Sequence, residues 1–208
     1  NASSDDCSIL SDQFPEVKLM RSDRNLGFAG ANNLGAKHSQ GEKILFLNPD
    51  TLVHEDAIHR IVAALDSAAN IGVVGARLLN GDLTLQVSCV QPFPNILNQL
   101  LAIDWLKRRW PALQFWGIDA LYSNVPTRIR EVEVVSGACL MVKRNMFHEV
   151  EGFSPEYFMY AEEVDLCYKI RRASRKVCYV SDAEVVHFGG QSTKKSSQDF
   201  FADIMMRE

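Results

Sequence analysis

Asp50, Glu163 and His187 are three side chains whose type and place in the sequence could support chemistry. Asp50 closes the segment ILFLNPD, where an apolar run ends in Asn48, Pro49 and the aspartate. Burying a charge costs several kcal/mol unless the charge is paired or binds a metal. Carboxylate and amide oxygens at a strand end suit Mg²⁺ or Mn²⁺ shared with substrate phosphates. The alternative is a turn or helix-cap role for Asp50.

Two adjacent glutamates lie in the segment YAEEVDLCYKIRRA, whose apolar spacing predicts a helix that begins near Ala161. Glu163 continues the apolar stripe of this helix, so we expect it to point inward. Glu162 is in phase with the charged positions and is expected on the solvated face. An inward carboxylate suits a general base in a partly desolvated pocket. The alternative is that Glu163 only favours the amides and dipole at the helix N terminus.

His187 ends the apolar segment VVHF and is followed by Gly189 and Gly190. A strand end followed by glycines is a place where backbone can approach a ligand closely. The alternative is a structural histidine.

Short strands and helices alternate over the first part of the chain. Strands are predicted at Val17–Met20, Lys43–Leu47 and Ile71–Ala76, with helices in the two connecting segments. This alternation favours right-handed crossovers and a parallel sheet. Ligands bind outside the carboxyl ends of such strands, where Asp50 lies.

The second part of the chain begins with a segment broken by prolines, from Asn80 to Arg130, which we interpret as a variable, substrate-facing insert. The segment EVEVVSGACLMV then predicts a bent strand or a strand pair. KVCYV and AEVVHF predict two short strands after the helix that begins near Ala161.

Composition narrows the classes of partner. The 22 basic and 26 acidic side chains give a net charge of −4, without a basic stripe that would indicate nucleic acid. The five cysteines include no CxxC pair, so neither a zinc site nor a disulfide framework is indicated, and reduced thiols in a cytoplasmic protein are expected. No run reaches the roughly 20 apolar residues of a membrane span. The segment 95–110 suits a helix at the inner face of a membrane or, alternatively, one packed over an acceptor site.

Seven segments together resemble family-2 inverting nucleotide-sugar glycosyltransferases, and within them the rhamnosyltransferase-like branch. They are NASSDD, NLGFAGANNLG, LNPD, VVGARLLNGD, VVSGACLMVKR, GFSPEYFMYAEEVDLCYKIRRA and VVHFGGQST. The resemblance implies an α/β protein of the GT-A type, a three-layer α/β/α sandwich with a mostly parallel central sheet. It also implies a single domain over 1–208, with a partial nucleotide-binding half at 1–79, an insert at 80–131 and an acceptor-binding half at 132–208.

The resemblance also implies roles for individual residues. Glu163 would be the catalytic base, at a position where the family carries Asp. Asp50 and His187 would hold the Mn²⁺ or Mg²⁺ ion that bridges the donor diphosphate. The donor-binding residues would be Asn25, Gly27, Asn33, Asn48 and Asp50.

The reaction implied is transfer of a sugar from a nucleotide-diphosphate donor to a glycan or lipid-linked glycan acceptor, in polysaccharide, O-antigen or cell-wall glycan synthesis. Two alternatives stay open: a catalytically silent sugar-nucleotide or glycan-binding module, and a metal-dependent nucleotidyltransferase. The family pattern starts with a strand and a helix that precede the NASSDD turn. We therefore expect these 208 residues to bind nucleotide sugar poorly and to cover an exposed sheet edge, for example by forming a homodimer.

Overall fold

The computed structural model describes residues 1–2, 8–96, 98, 109–110, 117–122 and 128–189. Most of the segment 95–110, for which a membrane-surface helix is predicted, lies outside the described residues, as does Gly190. Over the described part of the chain the helices are α1 (Ser8–Gln13), α2 (Gly27–His38), α3 (Ala57–Asp66), α4 (Asp119–Tyr122), α5 (Arg144–Glu149) and α6 (Glu162–Arg172). The strands are β1 (Lys43–Leu47), β2 (Thr51–Val53), β3 (Ile71–Leu79), β4 (Val90–Gln91), β5 (Ile129–Val132), β6 (Val134–Val135), β7 (Cys139–Lys143) and β8 (Lys176–His187).

The central sheet has the strand order β1-β7-β3-β8-β2, with β5 also paired to β8. The chain is α/β as predicted, but the prediction of a mostly parallel sheet is wrong. Only the β3–β8 pairing is parallel among the described pairings of this sheet, and the other four are antiparallel. The direction of β7, which lies between β1 and β3, could not be read from its apolar pattern. Strands β1, β3 and β8 still share one direction, because β7 is antiparallel to both of its neighbours.

Two other strand predictions are corrected. Val17–Met20 is not a strand in the structure, since it is paired with no described strand. The segments KVCYV and AEVVHF belong to one strand, β8, rather than to two. Its register against β3 shifts between Ala76 and Arg77, which face Val180 and Glu184 respectively. The shift interrupted the strand pattern in the sequence without ending the strand.

The core lies on both faces of β3, whose residues are all buried except Arg77. Helix α3 presents Ile61 and Leu65 to this core, and both are fully buried. Ile58, which the spacing assigns to the same stripe, is 38% exposed because Ala57 occupies the inner position at the helix start. A strand buried on both faces requires cover on each side of the sheet, in agreement with the layered α/β arrangement.

The four described cysteines, at positions 89, 139, 167 and 178, are buried and free. Burial raises the pKa of the Cys139 and Cys167 thiols to about 12. These thiols are therefore packing residues rather than reactive groups. None of the described helices has the length and apolar character needed to cross a membrane.

Gly27 gives the first prediction about stability. Its φ is +68°, and a Cβ there would lie 2.2 Å from the Phe158 carbonyl oxygen. We expect Gly27→Ala to lower the free energy of unfolding by at least about 1–3 kcal/mol, since the left-handed strain and the contact with backbone both act against it. Urea unfolding measures this change.

Gly35→Ala is the matched control in the same helix, because a Cβ at Gly35 would meet nothing within 4 Å. This control should leave stability unchanged or raise it by up to about 1 kcal/mol. Equal stabilities for the Gly27→Ala and wild-type proteins would contradict the geometry described at Gly27.

Candidate active site

Asp50 and His187 are brought together by the antiparallel pairing of β2 with β8. Thr51 lies opposite His187 in this pairing, and the Phe188 N–H donates to the Asp50 carbonyl oxygen over 3.0 Å. The two side chains meet with His187 Nε2 3.4 Å from Asp50 Oδ1, and both are mostly buried. The prediction that Asp50 and His187 share one site therefore agrees with the geometry.

The two ring nitrogens of His187 have different partners. Nδ1 lies 2.8 Å from Gln86 Oε1, and an amide oxygen can only accept, so Nδ1 carries the hydrogen. In the neutral ring, Nε2 then has no hydrogen and presents a lone pair to the Asp50 carboxylate. A cation placed between two such acceptors would be attracted by both. Asn48 Nδ2 lies 3.4 Å from the same nitrogen.

These groups fit a divalent ion. Two neighbouring ligands of an octahedral ion stand about 3 Å apart, close to the 3.4 Å between Asp50 Oδ1 and His187 Nε2. No group of three or more His, Cys, Asp or Glu side chains suited to a metal occurs among the described residues. A small hard cation here would take its other ligands from water and from a bound phosphate, as Mg²⁺ usually does.

Glu163 is linked to this pair indirectly, through the segment that leads into β7. The Asn48 N–H donates to the Ala138 carbonyl oxygen over 3.0 Å, and Gly137 is the preceding residue. A Cβ built on Gly137 would stand 3.7 Å from Glu163 Cβ, which is an ordinary van der Waals contact and shows that this segment packs against the glutamate. Residues Gly137 and Ala138 therefore lie between Glu163 on one side and Asn48, which precedes Asp50 by two positions, on the other.

Glu163 points inward as predicted and is partly buried. Burial raises the pKa of Glu163, while hydrogen bonds from its own backbone N–H and from Gln91 act in the opposite direction. A carboxylate with a raised pKa is a stronger base than a free one, and it keeps partial access to ligands. Gln91 was not identified from the sequence, because it lies in the segment broken by prolines.

Glu162 is not on the solvated face, so that prediction is wrong. The residue is 5% exposed and its Oε2 has no hydrogen-bond partner. Burial raises the pKa of Glu162 to about 7, helped by the nearby charge of Glu163. Helical phase fails here because the residue opens the helix, and Tyr160 and Ala161 before it are both left-handed, with φ of 68° and 65°. The surroundings of a first-turn residue depend on this preceding chain as well as on the helix.

The residues predicted to bind the donor nucleotide hold the start of α2 in place. Asn25 Oδ1 accepts from the Gly27 N–H over 3.0 Å, and Asn1 Oδ1 accepts from the Leu26 N–H. The Asn33 amide donates to the Phe153 carbonyl and accepts from the Phe153 N–H, over 2.7 and 3.0 Å. Asn33 therefore ties α2 to the segment before α6. Donor contacts by Asn25, Gly27 and Asn33 stay predictions.

A polar cleft of about 430 Å³ lies elsewhere, at the opposite end of α6 from Glu163. Its lining includes Asp119, Glu131, Glu133 and Arg171. The Arg171 guanidinium donates to the Val132 carbonyl and pairs with Glu131 at 3.7 Å, so these two charges are already paired within the protein. The lining of the cleft includes neither Asp50 nor Glu163 nor His187.

Comparison with known proteins identifies the class of this fold. The structure of GalNAc-T7 with UDP, GalNAc and Mn²⁺ superposes on 86% of this chain and 33% of its own, with a TM-score of 0.63 and 16% sequence identity. The fold is thus of the GT-A type, as the sequence resemblance implied.

The chain belongs to glycosyl transferase family 2, whose family model matches residues 1–150. It is 29% identical, over 201 residues, to the N-acetylglucosaminyl-diphospho-decaprenol L-rhamnosyltransferase of Mycobacterium tuberculosis, covering 91% of this chain and 64% of that protein. It is 25% identical to the rhamnosyltransferase WbbL of Escherichia coli K12, covering 78% of this chain and 61% of WbbL. The chain spans less than two thirds of the length of these relatives, and the similarity to the rhamnosyltransferase branch is confirmed.

Asp50→Ala tests whether the pair formed by Asp50 and His187 binds a metal ion. We expect binding of Mn²⁺ in the presence of pyrophosphate to weaken by more than about 100-fold, because losing a direct ligand costs more than losing a residue that supports one. The unfolding free energy should change little, since the Asp50 side chain adds little to the core. Calorimetry measures the first quantity and urea unfolding the second.

Asp56→Ala is the matched control, because Asp56 is an exposed carboxylate that pairs with Arg60 at 3.7 Å. It should bind Mn²⁺ and pyrophosphate as the wild-type protein does. An Asp50→Ala protein with wild-type metal affinity would remove Asp50 from the site.

Glu162 gives a prediction about pH. Its pKa rises from 4.5 to about 7 on folding, so the folded chain keeps a proton that the unfolded chain loses. Stability should therefore fall as pH rises from about 4.5 to about 7. Glu162→Gln should remove that part of the fall and raise the unfolding free energy at pH 8 by about 1–3 kcal/mol. Urea unfolding of both proteins at pH 4.5 and pH 8 isolates the difference, and parallel losses of stability in the two would refute it.

Proposed function

We propose that this protein is an inverting glycosyltransferase that moves a sugar from a nucleotide-diphosphate donor to an acceptor hydroxyl in glycan synthesis. The observation that carries the proposal is the approach of His187 Nε2 to within 3.4 Å of Asp50 Oδ1. The pair lies beside the segment that leads to the partly buried Glu163. Family membership and the named rhamnosyltransferase relatives support the same reaction class.

Asp50 and His187 would hold a Mn²⁺ or Mg²⁺ ion, with Asn48 next to them as a neutral contact. Such an ion, when bound, offsets the negative charge that develops on the departing nucleoside diphosphate. The role of the protein is to fix the two ligands and to keep the pair mostly shielded from water. GalNAc-T7, which shares the fold, was determined with UDP and Mn²⁺, and this supports the choice of ion and donor class.

Glu163 would act as the general base. The acceptor oxygen attacks the anomeric carbon from the side opposite the diphosphate, a new C–O bond forms, and the bond to the leaving oxygen breaks. The hydroxyl proton passes to the Glu163 carboxylate in the same step. A single displacement of this kind inverts the configuration of the anomeric carbon. The raised pKa of Glu163 strengthens it as a proton acceptor.

The relatives also indicate which substrates to test first. The mycobacterial relative is named for a diphospho-decaprenol acceptor and for L-rhamnose, and WbbL is named as a rhamnosyltransferase. We propose a rhamnosyl donor and a lipid-linked glycan acceptor, with the nucleotide bound mainly by 1–79 and the acceptor by 132–208. A location at the inner face of the membrane would place the enzyme next to such an acceptor.

A transfer assay with a panel of nucleotide sugars, in the presence and absence of a lipid-linked acceptor, tests the proposal. Glu163→Gln should lower kcat by roughly 10²–10⁴-fold and leave donor affinity nearly unchanged, because general-base catalysis contributes about that factor.

Glu162→Gln is the neighbouring control. Its carboxyl is buried away from ligands, so kcat should stay within a few-fold of wild type. Acceptor-dependent transfer by Glu163→Gln at the wild-type rate would exclude the base role. Tight donor binding without any transfer would instead indicate a silent binding module.

A further inference from the structure

A chain of hydrogen bonds runs from the turn after β3 to the ring of His187. The turn is closed by the Asn80 N–H, which donates to the Thr84 carbonyl oxygen over 2.8 Å. Within it, Asp82 Oδ1 accepts from the Thr84 hydroxyl over 2.6 Å and from the Thr84 N–H over 3.0 Å. These two bonds lower the pKa of Asp82, so its carboxylate is ionised and can only accept.

The acceptor-only carboxylate fixes the direction of each bond that follows. Because the Thr84 hydroxyl proton is used on Asp82, the Thr84 oxygen accepts from Asn80 Nδ2 over 2.9 Å. This orients the Asn80 amide, whose Oδ1 accepts from Gln86 Nε2 over 3.3 Å. The Gln86 oxygen is then directed at His187 Nδ1, 2.8 Å away.

We propose that Asp82, Thr84, Asn80 and Gln86 form a positioning relay that holds the Gln86 amide oxygen against His187 Nδ1, so that the neutral ring keeps its hydrogen there and directs Nε2 at Asp50. The last acceptor of this relay is Gln86. Its importance for catalysis rests on the proposed function, since the nitrogen it leaves free is the one assigned to the metal.

The alternative tautomer shows why such a relay matters. With the hydrogen on Nε2, the ring would donate to Asp50 Oδ1, only 3.4 Å away, and the two groups would satisfy each other. A cation would then have to break that hydrogen bond before binding. An acceptor at Gln86 disfavours this neutral tautomer, because it binds the hydrogen on the far side of the ring.

Gln86→Leu tests the relay, because leucine is of similar size and cannot accept. Long-range ¹H–¹⁵N spectra of the metal-free protein near pH 8.5 report which nitrogen of His187 carries the hydrogen. The wild-type protein should show the Nδ1–H form, and Gln86→Leu should shift the ring toward Nε2–H. Mn²⁺ affinity in the presence of pyrophosphate should fall about 10–100-fold, the usual effect of losing a residue that orients a metal ligand.

Gln86→Glu is the conservative variant, since its carboxylate keeps an acceptor at the same place. It should retain the Nδ1–H form and bind Mn²⁺ at least ten times more tightly than Gln86→Leu. A purely structural role for Gln86 would not be rescued in this way.

Asp82→Asn tests the far end of the relay, because an amide can donate and so reverse the order of the bonds. It should shift part of the His187 population toward Nε2–H. Asp66→Asn is its control, at a carboxylate that pairs with Lys43 at 3.0 Å on the surface, and should leave the spectrum unchanged.

A Gln86→Leu protein that folds and keeps the wild-type His187 spectrum would overturn the relay. If the spectrum shifts as expected but the wild-type protein binds no Mn²⁺ with pyrophosphate, the relay stands and the metal role in the proposed function fails. The tautomer and the metal affinity thus separate the two claims.

Discussion

The antiparallel pairing of β2 with the end of β8 is the contact on which the candidate site depends. Strands β1 and β2 lie at opposite ends of the strand order, and the short segment 48–50 connects them along the chain. Its two ends are fixed by backbone bonds, from the Asn48 N–H to Ala138 and from Phe188 to the Asp50 carbonyl. A carboxylate and an imidazole, 137 positions apart, therefore face each other at 3.4 Å.

Burial gives the adjacent glutamates of α6 different properties. Glu163 keeps partial exposure and hydrogen bonds that stabilise its charged form, so it can exchange a proton with a ligand. Glu162 has lost almost all contact with water, and one of its oxygens has no partner, so burial raises its pKa to about 7 and its neutral form persists well above pH 4.5. A second full charge so close to Glu163 would raise the cost of ionising either residue. The pair therefore combines one accessible carboxylate with one that is held back from ionisation.

The sequence predicted those parts of the site that rest on local pattern. Asp50 could be located because an apolar run ended in a charge, although the strand itself, β1, is buried on one face only. Glu163 could be located because it continued an apolar stripe. The environment of Glu162 could not be predicted, because it depends on two left-handed residues, Tyr160 and Ala161, whose sequence carries no glycine or asparagine to mark them.

Neither strand direction nor contacts between residues far apart in the sequence could be predicted from the local sequence pattern. The apolar run of β7 is compatible with either direction, and only its pairing shows that it opposes β1 and β3. The contact of Gln86 with His187 could not be predicted, because 101 positions separate the two residues in the sequence. Family resemblance supplied the fold class and the likeness to rhamnosyltransferases, both of which the comparisons confirm.

The central claim is that Asp50 and His187 bind one divalent cation together. Diffraction from crystals grown with Mn²⁺ and pyrophosphate, recorded at the manganese absorption edge, tests it most directly. We expect an anomalous peak within about 2.5 Å of both Asp50 Oδ1 and His187 Nε2, with phosphate oxygens completing the coordination. A manganese ion bound to pyrophosphate elsewhere, with neither side chain as a ligand, would contradict it.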